Sequence, residues 1–441
     1  MKLIAVNTAP AAGRAGRPTF APLLAAALLA AAASPAAAED AGPGKVAPVT
    51  ELAGSIESSL AASAGAGGAA AFSYDFEEYA NLRLKASVGE RGTAYAAVNL
   101  IAASGDTTEA AESLEALSAH ALPATSFVAG ANYAAALELE RLYFKIDGGL
   151  FAAEAGLMRL AFGFGQAWSP SDFLCSPNPL LPDARPRGAL AVAATAYPAD
   201  TARLKLFAAA GGEPLAADAE GAIVGAAADF HGEAASAEVL YAFEAPSGAA
   251  SWGLHRVGLS AKAEAEAAFV LDALYTSEGQ SWAGLSGLEA SAGVDYSFLG
   301  GDLYVLCQYL YNGPGSLDPG EELGALYADA DWSETAPAER LPADPEAFRV
   351  LNRRNYLYAA LAYSFDDYTR VNLACVACLD DLSFSPALTI EREPFQGLSL
   401  SLTCRTYVDA RTFSAGGAYG EMGAANAGCY GSVTAKAKLR F

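Results

Sequence analysis

The feature that most constrains this chain is an alternation of apolar and polar side chains, repeated in run after run of about ten residues. Leu398, Leu400, Leu402 and Cys404 alternate with Ser399, Ser401, Thr403 and Arg405. Val433, Ala435, Ala437, Leu439 and Phe441 alternate with Thr434, Lys436, Lys438 and Arg440, and Leu82, Leu84, Ala86 and Val88 with Asn81, Arg83, Lys85 and Ser87. A period of two puts each set on its own face of a strand. Soluble strands average about five or six residues, whereas a tilted strand needs about ten to cross a bilayer. The pattern predicts eighteen strands, give or take two, beginning near Val49, Phe72, Thr93, Tyr133, Leu150, Arg187, Thr201, Ala222, Ala234, Trp252, Glu266, Ser286, Asp302, Asn355, Tyr368, Phe384, Gly397 and Tyr430.

The gaps between runs are alternately short and long. Short ones hold turn residues, as in Gly89-Glu90-Arg91-Gly92, Pro198-Ala199-Asp200 and Gly300-Gly301. Long ones run from 104 to 132, 161 to 186, 312 to 354 and 410 to 429. Short turns at one end and long loops at the other is the layout of an outer-membrane barrel. An unpaired backbone group in hydrocarbon costs several kcal/mol, so such a sheet must close on itself. The expected fold is therefore all-β: a transmembrane antiparallel β-barrel of about 16–18 strands, with both termini at the short-turn end. Outward Lys or Arg costs about 2–4 kcal/mol at the midplane, so the face with Arg83, Lys85, Lys436 and Lys438 is the lumen. Two runs break the pattern. Glu138 and Glu140 conflict in parity with Lys145, and Glu154 with Arg159, which predicts a bulge or a misplaced strand end.

Residues 1–38 read as a secretory signal peptide: Lys2, Arg14 and Arg17, an apolar run from Phe20 to Ala33, then Ala36-Ala37-Ala38. Removing them takes away three bases and no acids, so the formal charge moves from −23 to −26 and residues 39–441 form one barrel domain. No later stretch of about 18 apolar residues offers a transmembrane helix. The pI near 4.5 argues against nucleic-acid partners. Cys375 and Cys378, three apart in an alternating run, fall on opposite faces rather than forming a redox or zinc pair. The three histidines, His120, His231 and His255, have no Ser or Asp spacing that suggests a hydrolase. No phosphate-loop or H-E-x-x-H motif occurs. The chain reads as a non-enzyme with no cofactor and no metal.

Three stretches carry a family resemblance: EEYANLRLKASVGERG…AVNLIAASG from Glu77 to Gly105, ERLYFKI…GLMRLAFGFGQAWSPSDF from Glu140 to Phe173, and NYLYAALAYSF…CLDDLSFSPALTI…PFQGLSLSL from Asn355 to Leu402. In these the chain resembles the spirochaete-type, treponemal-like outer-membrane β-barrel proteins, a porin-like and largely uncharacterised family. The terminal Phe441 is similar to the C-terminal signal through which barrel-assembly machinery recognises its clients. The resemblance implies a barrel and a pore, and supplies no catalytic residue. Leu157-Met158 before Arg159 depart from the more polar residues expected there.

Three constellations bear on function. The loop from 161 to 186 contains Pro170, Pro177, Pro179, Pro182 and Pro186, which fix φ, and an apolar side with Trp168 and Phe173. A stiff loop of this length packs rather than dangles. It is expected to fold into the lumen as a constriction, with Trp168, Asp172, Asp183, Arg185 and Arg187 near the narrowing; the alternative is an ordinary surface loop. A basic band of Arg83, Lys85, Arg203, Lys205, Arg256, Lys262, Arg370, Lys436, Lys438 and Arg440 is expected to point inward near the short-turn ends, balanced in part by Glu266, Asp272, Asp302 and Glu391. Phe72, Tyr74, Phe76, Tyr79, Tyr356, Tyr358 and Tyr363 read as interfacial girdles, the alternative being lumen partners for a sugar or an apolar solute. Together these predict an outer-membrane, porin-like channel for small polar solutes with weak anion preference, embedded in lipid and open to homo-oligomers. The competing functions are a closed structural or adhesive barrel using the acidic loop 312–354, and a selective transporter of hydrophobic compounds.

Overall fold

The computed structural model describes residues 49–65, 72–105, 125–129, 133–175, 188–210, 221–246, 252–278, 284–315, 351, 353–409, 422 and 429–441. The predicted leader, 1–38, lies outside these residues, as does most of loop 312–354. Eighteen strands build the wall: β1 (Thr50–Gly65), β2 (Phe72–Val88), β3 (Gly92–Gly105), β4 (Tyr133–Asp147), β5 (Phe151–Met158), β6 (Ala189–Ala199), β7 (Ala202–Ala209), β8 (Ile223–His231), β9 (Ala235–Glu244), β10 (Leu254–Glu264), β11 (Ala268–Glu278), β12 (Leu288–Phe298), β13 (Leu303–Asn312), β14 (Asn355–Asp366), β15 (Thr369–Cys378), β16 (Ser383–Phe395), β17 (Leu398–Thr406) and β18 (Cys429–Arg440). Each begins within two residues of its sequence-based start. Two short segments, Thr125–Ala129 and Val408–Asp409, extend the sheet beside β4 and β16.

Every neighbouring pair is antiparallel, and β18 closes the ring on β1, with Lys438 opposite Glu57 and Ala435 opposite Leu60. The C-terminal residue completes the seam. Gly54 and Phe441 exchange backbone hydrogen bonds of 2.9 and 3.0 Å. The Phe441 ring lies so close that a Cβ on Gly54 would stand 2.6 Å from its Cζ. Only a residue without a side chain accepts the ring there.

The two faces sort as a bilayer demands. On β10, Val257 and Leu259 are exposed on the outside, while Arg256 and Ser260, which flank them, are buried within. Leu204 and Leu206 on β7, and Leu400 and Leu402 on β17, repeat the outward apolar belt. A soluble protein would bury such side chains; here their solvent is hydrocarbon.

Both parity conflicts resolve. Between β3 and β4 the register slips: Ala97 stands opposite Arg141 while Val98 stands opposite Leu139. Glu140 is the extra residue of a bulge, so Glu138, Arg141, Tyr143 and Lys145 all face the lumen. On β5, Glu154 faces inward against Lys145, and the strand ends at Met158, leaving Arg159 as the first loop residue.

Other expectations need correction. Arg256 lies near the start of β10, at the long-loop end, whereas the rest of the basic band stands toward the short turns. Phe72, Tyr74 and Phe76 are exposed on the outer face, as a girdle requires. Tyr79, Tyr356 and Tyr358 point inward instead: Tyr79 donates to Asn99 Oδ1 at 2.7 Å, and Tyr356 and Tyr358 pack on Trp168. A period of two names the face but not what covers it. Cys375 and Cys378 do fall on opposite faces, Cys378 in the buried cluster with Trp168 and Tyr356.

Candidate functional site

The lumen contains a strap. After β5 the chain leaves the wall at Arg159 and, through Cys175, lies against the inner faces of β7 to β14. Its conformation is set by glycines at its tightest points. Gly163 has φ +77°, and a Cβ there would overlap both Ser169 Oγ and the Asp272 carboxylate.

The attachments follow the wall strand by strand. The Phe162 ring packs on Phe207 of β7, centroids 5.1 Å apart, beneath the Lys205 ammonium at 5.4 Å. Gly163 N–H donates to Glu238 Oε1 of β9 at 2.7 Å, and Phe164 N–H to Ser260 Oγ of β10 at 3.0 Å. Gln166 Nε2 donates to Asp295 Oδ2 of β12 at 2.7 Å while its Oε1 accepts from Tyr304 OH of β13 at 2.6 Å. Ala167 N–H donates to Gln308 Oε1 at 2.9 Å, and the Trp168 carbonyl accepts from Gln308 Nε2 and Ser291 Oγ. The Trp168 ring reaches Tyr356 and Tyr358 of β14. The strap then turns back. Ser169 Oγ donates to Asp272 Oδ2, and Ser171 N–H and Oγ donate to Asp272 Oδ1, at 2.6, 3.0 and 2.6 Å. Finally Phe173 lies under the Arg256 guanidinium at 4.9 Å.

Asp272 is the principal anchor. It is fully buried and accepts from three strap donors plus Ser260 Oγ at 3.2 Å. A buried carboxylate is tolerated only when so supplied with donors. Asp172 is the contrast. It is buried, its Oδ2 stands 3.9 Å from Arg159 Nη2, and its Oδ1 has no hydrogen-bond partner among the described residues. Burial, opposed by Arg159 and helped by the Asp272 charge, pushes its pKa from 3.8 up to about 7.

Of the residues expected at a constriction, Trp168 and Asp172 are thus in the strap; Asp183, Arg185 and Arg187 lie outside the described residues. The strap's partners on the wall (Glu238, Asp295, Gln308, Ser260, Ser291) carry no local sequence signal beyond inward parity. Asp272 was read only as a balancing wall charge.

The basic band shares the inward face but divides by partner. Lys205 and Arg256 cover strap rings, and Arg256 also pairs with Glu244. Arg203 pairs with Asp229 at 3.3 Å and meets His231 Nε2; Lys262 pairs with Glu264. Lys436 and Lys438 share Glu57, both at 3.0 Å, and Lys85 meets Glu51 at 3.4 Å. Arg83 Nε donates to the Asn81 amide oxygen rather than to a carboxylate. Arg370 stands across from Glu391, and Arg440 across from Ser55. Further inward bases were missed: Arg141 and Lys145, displaced in parity by the bulge, and Arg405, which donates to Ser385 Oγ at 3.3 Å.

No family model and no curated protein matches the chain. Solved structures do. The fold is similar to that of Pseudomonas aeruginosa OccK9 (OpdG), with 9% identity over 89% of this chain and 98% of that one and a TM-score of 0.52. It is also similar to the Pseudomonas aeruginosa outer membrane protein opdK, with 7% identity, the same coverages and a TM-score of 0.51. At such identities the likeness establishes the architecture: an 18-strand outer-membrane β-barrel.

Proposed function

We propose that this barrel is a passive channel for small polar solutes, with the strap Arg159–Cys175 as its constriction and a weak preference for anions. The observation that carries the reading is the strap itself. A chain segment hydrogen-bonded to five neighbouring strands, β9–β13, and held by ring contacts on β7 and β14 narrows a bore without needing bulk on the opposite side. The architecture shared with opdK and OccK9 supports a channel; the solute, the treponemal-type family and the anion preference rest on this chain's own residues. Weak rather than strong selectivity follows from the ion pairing: most inward bases have a carboxylate beside them, so the field a solute meets is small. Planar-bilayer recording of the refolded mature chain under a salt gradient tests this. Stepwise ionic current with a reversal potential slightly on the anion side is expected; absence of current, or strong cation selectivity, contradicts it.

One observation favours a second reading, a closed structural barrel. Near the middle of β2–β4, the inward Asn81, Asn99 and Glu138 are buried. The same recording separates the two, since a closed barrel carries no steady current.

A further inference from the structure

An aromatic pair lies at the margin of the strap. Tyr95 of β3 and Tyr143 of β4 stand directly opposite each other on the inward face. Their rings stack with centroids 5.2 Å apart and planes 27° from parallel. Along the same row, Lys85 flanks Tyr95 and Gly156 flanks Tyr143. Gly156 has φ +130° and adds no side chain of its own beside the Tyr143 ring. Tyr143 also packs against the cluster that holds the strap's root, Leu160 and Phe162. Tyr95 and Tyr143 are both half-buried at this edge.

The charges around the rings are paired with opposite ones. Lys145 pairs with Glu154 at 3.3 Å, Lys85 with Glu51 at 3.4 Å, and Arg141 with Glu140 at 3.8 Å. Such a frame presents both hydrogen-bond donors and acceptors with little net field. An ionic solute gains little from it. A pyranose ring has what it lacks: an apolar C–H face to lie on the tyrosines and a rim of hydroxyls to bridge ammonium and carboxylate.

We propose that Tyr95 and Tyr143 form a stacking subsite for neutral sugars at the edge of the strap, a reading that rests on the channel function above and names its solute class. The test is bilayer recording with maltotriose in the bath. Millimolar maltotriose should reduce the mean current of the wild-type channel reversibly. Tyr143→Ala and Tyr95→Ala should each weaken that block about tenfold, the scale of losing one stacked ring. Tyr95→Phe and Tyr143→Phe should keep the block within about threefold of wild type. Tyr95 does not belong to the strap's cluster, so its variants report even where Tyr143→Ala disturbs folding. A conducting channel that ignores maltotriose overturns the subsite alone, as does a block unchanged in both alanine variants. Stronger block by sodium benzoate than by maltotriose overturns the neutral-sugar assignment. A barrel that carries no current at all overturns the channel reading, and the subsite falls with it.

Discussion

The inner walls of β7–β14 and of β15–β18 with β1 are built from the same alternation, yet they use their polar side chains differently. On the first, inward groups turn to the strap: Glu238, Asp272 and Asp295 accept from it, Ser291 and Gln308 hold its Trp168 carbonyl, and Lys205 and Arg256 lie over its rings. On the second, they turn to each other: Lys436 and Lys438 to Glu57, Ser399 to Glu391, Thr389 to Thr403. The difference teaches that inward charge has two uses. One wall holds a constriction in place and the other sets the field that solutes feel, so the same substitution has different consequences on the two sides.

The largest effect belongs to the strap as a whole. Deleting residues 161–175 should raise single-channel conductance at least about twofold, because half the inner wall is uncovered. An unchanged step size would mean the strap narrows nothing. Asp272→Ala comes next. It removes the acceptor for three strap donors, each charge-assisted bond being worth about 1.5–3 kcal/mol, and should release the returning arm. Hydrogen exchange at Ser171 and rising open-channel noise would report it, with Asp272→Asn milder. Gly163→Ala should weaken the seat by about 1–3 kcal/mol through its positive φ and overlap with Asp272, seen as the same noise without any change in selectivity.

Acidity gives a smaller effect of defined sign. The Asp172 carboxyl ionises at about 7 when seated, against 3.8 for an ordinary one. Seating therefore favours the protonated form. The contribution of Asp172 to holding the strap should be greatest below about pH 4, fall as pH rises toward 7, and change no further above that. Current noise should follow that course in the wild type and lose that component in Asp172→Asn; noise that grows on acidification would reverse the argument. Smallest is the charge effect on the open wall. Lys436→Gln or Lys438→Gln should shift the reversal potential slightly toward cations without added noise, whereas Lys205→Gln should add noise with little shift.

Much of the architecture was legible because the bilayer enforces it. Period-two runs fix which face is greasy, and alternating gap lengths fix which end carries loops, so all eighteen strands were readable. Even the failure of parity at Glu138, Glu140 and Lys145 announced the bulge. The site was legible only in part. The prolines and Trp168 marked the loop, but its partners sit on strands up to 190 residues away, as Tyr358 is from Trp168. Parity could say that Gln308, Asp272 and Tyr356 face inward. It could not say that another segment covers them, which is why Tyr356 and Tyr358 read as girdle residues.

The central claim is that the strap lies on the inner wall of a closed barrel, and one measurement meets it directly. In a chain freed of its native cysteines, Ala167→Cys and Gln308→Cys would be paired and the refolded barrel treated with a short bifunctional thiol reagent. The account predicts efficient bridging within one chain, with conductance unchanged because the strap is already seated. Two thiols that stay unbridged and react independently with bulky hydrophilic reagents would contradict it.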